Sequence, residues 1–244
     1  MFRFHVPGVS ADPGVIDLPA DEAHHLRDVV RLKAGEPVHV FDGHGREWAG
    51  RVAEVTRRRV TVALERAVTA VAEPPVRVTL CSALLKGDQM DALVRDATML
   101  GVAAIVPVIS AHVSVPRAAA RSAAAVARWQ RVALASAKQC GRAVVPAVSA
   151  AIAFDAVLSG VTKDPIIICV EPALGLDTPP ADLPRPATAR LLLLVGPEGG
   201  WSADELAAAR RHGALPLALG PRTLRAETAP VVALTTLWTR WGWE

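Results

Sequence analysis

Two short glycine-bearing loops towards the end of the chain carry the residues best suited to chemistry. The first reads Gly-Pro-Glu-Gly-Gly (196–200), and the second reads Gly-Pro-Arg-Thr-Leu-Arg-Ala-Glu-Thr-Ala (220–229). Together they hold side chains that can stabilise negative charge or accept a proton: Glu198, Arg222, Arg225 and Glu227. Neither loop matches the G-x-G-x-x-G or G-x-x-x-x-G-K-[ST] phosphate-binding patterns. The loops are therefore candidates for a site other than a common phosphate cradle.

A strand, a glycine loop and a helix follow one another twice around these residues. Leu191–Val195 is an uninterrupted apolar run, typical of a strand buried on both faces, and Leu215–Leu219 is a second such run. Ser202 and Glu205 form a capping box that begins a helix. Ligands of open α/β sheets bind outside the carboxyl ends of the strands. We expect the loops to follow adjacent strands and to share a pocket; the alternative is that both are ordinary tight turns.

The same alternation begins after a proline-bearing linker at Ala72–Pro75. A strand (76–85) leads through Lys86-Gly87-Asp88 to a helix, and a further strand (102–109) follows. This order predicts a parallel sheet with right-handed crossovers. The sequence therefore predicts an α/β domain over residues 73–244.

Residues 1–72 are predicted to form a small β domain. Short β-rich runs occur at 38–41, 47–52 and 60–64, and a helix is indicated over 20–32. We expect a barrel of short strands packed against that helix. Leu26, Val29, Val30 and Leu32 are predicted to face the core.

Composition narrows the class of protein. The chain has 244 residues, 51% of them hydrophobic, and a net charge of +3. No apolar run approaches the length that crosses a bilayer, and the first residues lack the apolar region of a signal peptide. Cys81, Cys140 and Cys169 are widely spaced, and His24-His25 would point apart on a helix, so no zinc site is expected. We expect a cytoplasmic protein with no membrane or metal partner.

One long segment contains basic residues and no acidic ones. Between Ala97 and Phe154 there is no Asp or Glu. On a continuous helix the basic residues would lie within an arc of about 100°. They are Arg117, Arg121, Arg128, Arg131, Lys138 and Arg142. A merely solvated helix face usually carries both signs of charge, so this basic stripe favours a polyanion partner.

The glycine loops also resemble those of a known family. Leu-Val-Gly-Pro-Glu-Gly-Gly (194–200) and Leu-Gly-Pro-Arg-Thr-Leu-Arg-Ala-Glu-Thr-Ala (219–229) are similar to the RsmE family, the 16S ribosomal RNA uridine-N3 methyltransferases of the SPOUT superfamily. The resemblance implies a deep trefoil knot in the C-terminal domain and S-adenosylmethionine as methyl donor. It also implies 16S rRNA of the small ribosomal subunit as partner, and a homodimer whose interface includes the C-terminal helix with its late tryptophans.

Three further short motifs are similar to the family's pattern. Lys-Gly-Asp (86–88) and Gln-Cys-Gly-Arg (139–142) match in the methyltransferase domain, and His-His-Leu-Arg (24–27) resembles the N-terminal PUA-like β-barrel, an RNA-holding module. The chain departs from the pattern at Asp96, Met99, His112 and Lys138. These departures bear on RNA placement and the dimer rather than on the donor loops.

The resemblance implies roles for individual residues. Arg225 would stabilise the charge that develops on the uracil oxygens, and Glu227 would orient it or assist proton removal; alternatively the two form a structural ion pair. The residues expected at the methyl donor, mainly through their backbone, are Leu194, Gly196, Pro197, Glu198, Gly199, Gly200, Leu219, Gly220, Leu224, Arg225 and Thr228. Those expected to contact RNA are Arg3, Arg27, Arg31, Lys86, Arg128, Arg142 and Arg222.

Two other functions stay open on the sequence alone. The first is a knotted methyltransferase that acts on the ribose 2′-hydroxyl of a transfer RNA. Such relatives usually carry a Ser-Leu-Asn motif where this chain has Leu224–Glu227. A non-enzymatic RNA-binding assembly factor is the other, since it would need only the basic stripe.

Overall fold

The computed structural model describes residues 1–9, 14–116, 121–160, 164–172 and 183–243. By its internal contacts the chain divides into two compact units. The first unit comprises Met1–Glu73 and Ala137–Val145, and the second comprises Pro74–Ser136 and Pro146–Glu244. The sequence had placed 137–145 in the second domain, but this segment packs with the first. Within the described stretches, no helix is long and apolar enough to cross a membrane.

The first unit is built on a mixed five-stranded sheet. Its strands are β1 (Phe2–His5), β2 (Val15–Asp17), β3 (Pro37–Phe41), β4 (Glu47–Val55) and β5 (Val60–Val68). They lie in the order β1-β3-β4-β5-β2, with β1 parallel to β3 and the other pairs antiparallel. Phe4, Val38, Val62 and Leu26 are fully buried in the core between sheet and helix. The three β-rich runs predicted from the sequence are confirmed as strands.

The helix predicted over 20–32 is shorter and changes its winding. α1 spans Ala20–His24 and continues as a π-helical segment, His25–Val30, which ends where Arg31 adopts a φ of 62°. A π-helical turn contains more residues than an α-helical turn, so later side chains rotate around the axis. Leu26 is buried as predicted. Val29 is 61% exposed, so the prediction that it faces the core is wrong.

The second unit is a parallel sheet with helices, as predicted. Its elements in chain order are β6 (Arg77–Ala83), α2 (Gln89–Met99), β7 (Ala104–Ile109), α3 (Ala123–Cys140, whose last turn belongs to the first unit), β8 (Ala147–Val148), β9 (Ile152–Ala153), α4 (Phe154–Ser159), β10 (Ile166–Val170), β11 (Arg190–Val195), α5 (Ala203–Arg211), β12 (Leu215–Ala218) and α6 (Ala229–Trp241). The sheet order is β12-β10-β11-β6-β7-β8, with β9 also beside β7, and every pair is parallel.

The order of the last strands differs from the expected one. β10 pairs with β11 through Ile166–Ile168 and with β12 through Ile167–Val170. The expectation that the two glycine loops follow adjacent strands is therefore wrong, because β10 lies between β11 and β12. All three strands still end at the same edge of the sheet, since they run parallel.

The C-terminal helix α6 packs into the second unit. Pro230 occupies its first turn, where a missing N–H costs nothing. Leu234, Leu237, Trp238 and Trp241 are buried, and the Trp238 indole N–H donates to the carbonyl of Leu100 at 2.7 Å. Trp238 and Trp241 are therefore core residues of this unit.

Candidate functional site

The two glycine loops and the end of β10 enclose one pocket, which we call the donor pocket. Its walls come from three carboxyl strand ends and from the start of α6. The lining residues are Cys169, Val170, Glu171, Pro172, Val195, Gly196, Pro197, Glu198, Gly199, Gly200, Trp201, Leu219, Arg222, Thr223, Leu224, Ala226 and Ala229. The expectation that the loops share a pocket is confirmed.

Most, but not all, of the expected donor residues line this pocket. Leu194 is instead fully buried within β11. Gly220 serves the turn after β12 with a φ of 104°, and Thr228 is the N-cap of α6. None of these three is among the residues lining the pocket, and Arg225 lines a neighbouring pocket.

The sequence analysis gave no part in the pocket to the end of β10 or to the two residues that follow it. Cys169, Val170, Glu171 and Pro172 line the pocket but were not among the residues expected there. The parallel register of β10 between β11 and β12 brings its carboxyl end to the pocket. The rule that ligands bind at carboxyl strand ends would have identified them had the strand order been known.

The glycines of the first loop lie where a side chain would collide with a neighbour. A Cβ at Gly196 would be 3.2 Å from the Trp201 ring, one at Gly199 would be 3.0 Å from the Cβ of His112, and one at Gly200 would be 2.9 Å from Oε1 of Glu171. Gly200 also has a φ of 69°, which residues with a Cβ adopt at a cost. The loop therefore presents its backbone to the pocket.

Local hydrogen bonds hold this wall in place. The Trp201 indole N–H donates to the carbonyl of Cys169 at 3.0 Å, and its ring packs on Phe154 at a centroid distance of 5.0 Å. Ser202 caps α5 in the predicted capping box, in which its hydroxyl accepts from the N–H of Glu205 and the Glu205 carboxylate accepts from the N–H of Ser202. The loop is thus fixed at both of its ends.

The chemistry of the pocket suits a ligand with an apolar part and a cationic or hydroxylated part. Leu219, Leu224 and Trp201 supply apolar surface, and Glu171 and Glu198 supply carboxylates. Burial raises the pKa of the Cys169 thiol to about 12, so this thiol stays protonated and does not act as a nucleophile at neutral pH.

A second pocket, which we call the acceptor pocket, adjoins the first. Its lining residues are Gln89, Glu198, Thr223, Leu224, Arg225, Ala226 and Glu227. Glu198, Thr223, Leu224 and Ala226 line both pockets and form a shared wall. Arg225 is exposed and Glu227 is half-buried, with the Gln89 amide nitrogen 3.5 Å from Oε2 of Glu227. In the part of the chain that the structure describes, no ion pair joins Arg225 to Glu227, so the structural ion-pair alternative is not supported.

Two of the residues expected to contact RNA are used inside the first unit. The Arg3 guanidinium binds the buried Glu47 carboxylate at 2.8 Å and donates to the carbonyl of Ala137 at 2.9 Å. The Arg142 Nε donates to Glu73 at 2.9 Å, and only 6% of its side chain is exposed. Roles for Arg3 and Arg142 in phosphate binding are corrected, because their donors are already occupied.

The basic stripe is not the continuous surface expected from the sequence. α3 begins at Ala123 and ends before Gly141, whose φ is 87°, and Arg117 lies outside the described residues. Lys138 pairs with Glu22 at 2.7 Å, and Arg128 pairs with Asp88 and Asp91. Acids from other segments therefore interrupt the stripe at Arg128, Lys138 and Arg142, which the local sequence does not show.

The other expected RNA contacts are distributed over both units. Arg31 in the first unit and Lys86 and Arg222 in the second are exposed. Arg27 is half-buried and binds its neighbour Asp28 at 2.7 Å. Across the described ranges, no cluster of His, Cys, Asp and Glu could hold a metal ion.

Comparisons with known proteins agree with this geometry. Two family models match the chain, one for an RNA methyltransferase domain over residues 72–238 and one for an RNA methyltransferase PUA domain over residues 18–65. The chain is 32% identical over 228 residues to the ribosomal RNA small subunit methyltransferase E of Synechocystis sp., covering 91% of this chain and 72% of that protein. It is 31% identical over 246 residues to the protein of the same name from Mycobacterium bovis, covering 95% and 88%.

A solved structure is similar over nearly the whole length. The ribosomal RNA small subunit methyltransferase E of Neisseria gonorrhoeae, crystallised with S-adenosyl methionine, matches with a TM-score of 0.90 and 31% identity. The match covers 98% of this chain and 97% of that one.

Proposed function

From the premise that the chain belongs to the family of ribosomal RNA small subunit methyltransferases E, we propose that it transfers a methyl group from S-adenosylmethionine to N3 of a uridine in 16S rRNA. The protein is an S-adenosylmethionine-dependent RNA methyltransferase with an N-terminal PUA domain. The observation that carries the proposal is the shared wall, because it sets a donor pocket directly beside a pocket that holds Arg225 and Glu227.

The chemistry of the donor pocket suits S-adenosylmethionine. Side chains at 196, 199 and 200 would crowd Trp201, His112 and Glu171, so the first loop offers its backbone to the ligand. Leu219, Leu224 and Trp201 suit the adenine ring, and the carboxylates of Glu171 and Glu198 suit the cationic and hydroxylated parts. When bound, S-adenosylmethionine supplies a methyl carbon whose bond to sulfur breaks as the bond to N3 forms, with the electron pair left on sulfur.

The acceptor pocket supplies the groups that N3 methylation needs. An imide nitrogen is nucleophilic after it loses its proton, and the charge then spreads onto O2 and O4. The Glu227 carboxylate accepts that proton, and the Arg225 guanidinium donates to an oxygen on which charge develops. Binding the uracil ring against the wall that both pockets share brings N3 close to the methyl donor.

The proposal also covers the chain topology, the oligomeric state, the cellular location and the roles of the two domains. We propose that the second unit contains a trefoil knot and that the protein acts as a homodimer, with a surface other than the buried tryptophans of α6. Its substrate is ribosomal RNA, so we propose that it works in the cytoplasm, where ribosomes are. We assign residues 1–72 to RNA holding and residues 73–244 to methyl transfer.

The test is methyl transfer from labelled S-adenosylmethionine to isolated small ribosomal subunits, with the product mapped by nuclease digestion. We expect one labelled 3-methyluridine in 16S rRNA. Label on a ribose 2′-hydroxyl, or on transfer RNA, would assign the protein to the other knotted enzymes. Binding to subunits with no transfer of label would favour the assembly-factor alternative.

A further inference from the structure

His112 lies just beyond β7 and contacts the backbone of the first glycine loop. Its Nδ1 is 3.0 Å from the carbonyl oxygen of Gly199 and 3.1 Å from that of Gly200. Carbonyl oxygens only accept, so Nδ1 carries the hydrogen, and in the neutral ring Nε2 carries none. One imidazole N–H therefore bridges two consecutive carbonyls in the wall of the donor pocket.

The same side chain leaves little space for a side chain at residue 199. A Cβ at Gly199 would lie 3.0 Å from the Cβ of His112 and 3.6 Å from its Cγ. The N–H of Gly200 already donates to the carbonyl of Pro197 at 3.0 Å, which closes the turn. The loop and the imidazole therefore fit each other closely.

A second contact anchors the segment that carries His112. The N–H of Ala111 donates to Oε1 of Glu205 at 2.8 Å, while Oε2 of Glu205 accepts from the N–H of Ser202 at 2.9 Å. Glu205 is 9% exposed, so these bonds are shielded from water. His112 is thus presented to the loop from a segment tied to the first turn of α5.

We propose that His112 is a positioning residue of the donor pocket, whose Nδ1–H holds the peptide groups of Gly199 and Gly200 in the orientation that S-adenosylmethionine binds. The inference rests on the proposed function, because the ligand is the methyl donor assigned there. His112 acts through the loop and not on the reacting atoms.

The test replaces His112 with side chains whose amide nitrogen takes the position of only one of the two imidazole nitrogens. The amide nitrogen of asparagine lies where Nδ1 of histidine lies, and that of glutamine lies nearer to Nε2. We expect His112→Leu to weaken S-adenosylmethionine binding about five- to tenfold, as the loss of one hydrogen bond does. His112→Asn restores affinity to within about twofold, and His112→Gln behaves like His112→Leu. Isothermal titration calorimetry measures each constant.

Controls separate the possible failures. His44→Leu changes an exposed histidine of the first unit and is expected to leave donor affinity unchanged. Thermal melting of each variant checks that the fold is retained. Wild-type affinity in His112→Leu, or rescue by glutamine and not by asparagine, overturns the proposal. If the wild-type protein itself fails to bind S-adenosylmethionine, the proposed function fails first and independently.

Discussion

Arg225 and Glu227 are close in sequence, and we propose separate roles for them in the acceptor pocket. Arg225 is exposed, and its carbonyl accepts from the N–H groups of Thr228 and Ala229, each at 3.0 Å. Its backbone is therefore fixed at the start of α6 while its guanidinium is left to a substrate. This arrangement suits a donor aimed at developing charge.

Replacing Arg225 tests that role. We expect Arg225→Met to lower kcat for methyl transfer about 100- to 1,000-fold, the range seen when one donor to a developing oxyanion is lost. Donor affinity should stay the same, because Arg225 does not line the donor pocket. Single-turnover transfer gives the first quantity and calorimetry the second. Arg131→Met, on the exposed side of α3, is the matched control. A lowered melting temperature with unchanged turnover would instead indicate a structural residue.

Gly199 gives a second prediction at the same scale. Gly199→Val places a branched side chain 3.0 Å from the Cβ of His112 and forces the loop or the imidazole to move. We expect S-adenosylmethionine binding to be abolished while the protein stays folded, since Gly199 is exposed. Calorimetry and melting measure the two effects. Gly14→Ala, where an added Cβ meets nothing within 4 Å, is the control. Unchanged affinity in the valine variant would refute the pocket assignment.

At the scale of elements, the sequence predicted individual strands and helices but did not predict which strands pair with one another. The apolar run Leu191–Val195 and the capping box at Ser202 predicted β11 and α5 because each depends on neighbouring residues. The position of β10 between β11 and β12 depends on pairing across the chain, which no spacing reveals. The pocket-lining residues of that strand were missed for this reason.

The basic residues of α3 were misread for a related reason. Their sequence window contains no acid, yet Lys138 binds Glu22 and Arg142 binds Glu73, both from the first unit's N-terminal part. The π-helical segment His25–Val30 likewise rotates Val29 outward against the regular period. In each case tertiary contacts decided what the local pattern left open.

Arg3 provides a prediction at this scale. It ties β1 to the start of β4 through the buried Glu47 carboxylate and to the end of α3 through the Ala137 carbonyl. Arg3→Met leaves Glu47, which is 6% exposed, with His39 as its remaining side-chain partner. We expect the free energy of unfolding to fall by about 3 kcal/mol, as when one partner of a buried ion pair is removed. Urea denaturation measures the change. Weaker RNA binding at unchanged stability would restore the RNA-contact role.

We expect the whole molecule to become less stable as pH decreases, because two titrating residues of the first unit have lowered pKa values. Burial lowers the pKa of His5 from 6.5, against the raising effect of Glu22. Burial raises the pKa of Glu47, but hydrogen bonds from Arg3 and His39 outweigh it and leave that pKa below 4.5. A group with a depressed folded pKa stabilises the fold above its unfolded pKa, and this contribution is lost as pH falls through the folded value.

Thermal unfolding at several pH values checks this sign. As pH is lowered, we expect the melting temperature to decrease below about pH 6.5 because of His5. We expect a further decrease below about pH 4.5 because of Glu47. His5→Gln should remove the first decline and keep the second. A melting temperature that rises as pH falls from 7 to 4 would contradict the assignment of both groups.

RNA binding by the whole protein should depend on salt through its exposed arginines. Arg57 and Arg58 are exposed, and no ion pair engages them among the residues that the structure describes, whereas Arg59 next to them is paired with Asp17. Each phosphate contact that is lost reduces the slope of log K against log salt by about 0.7 to 0.9. We expect the double variant Arg57→Gln, Arg58→Gln to flatten the slope for subunit binding by up to about 1.8. Arg59→Gln should have a smaller effect, because the guanidinium is already neutralised. Equal slopes in all three proteins would show that this turn does not contact RNA.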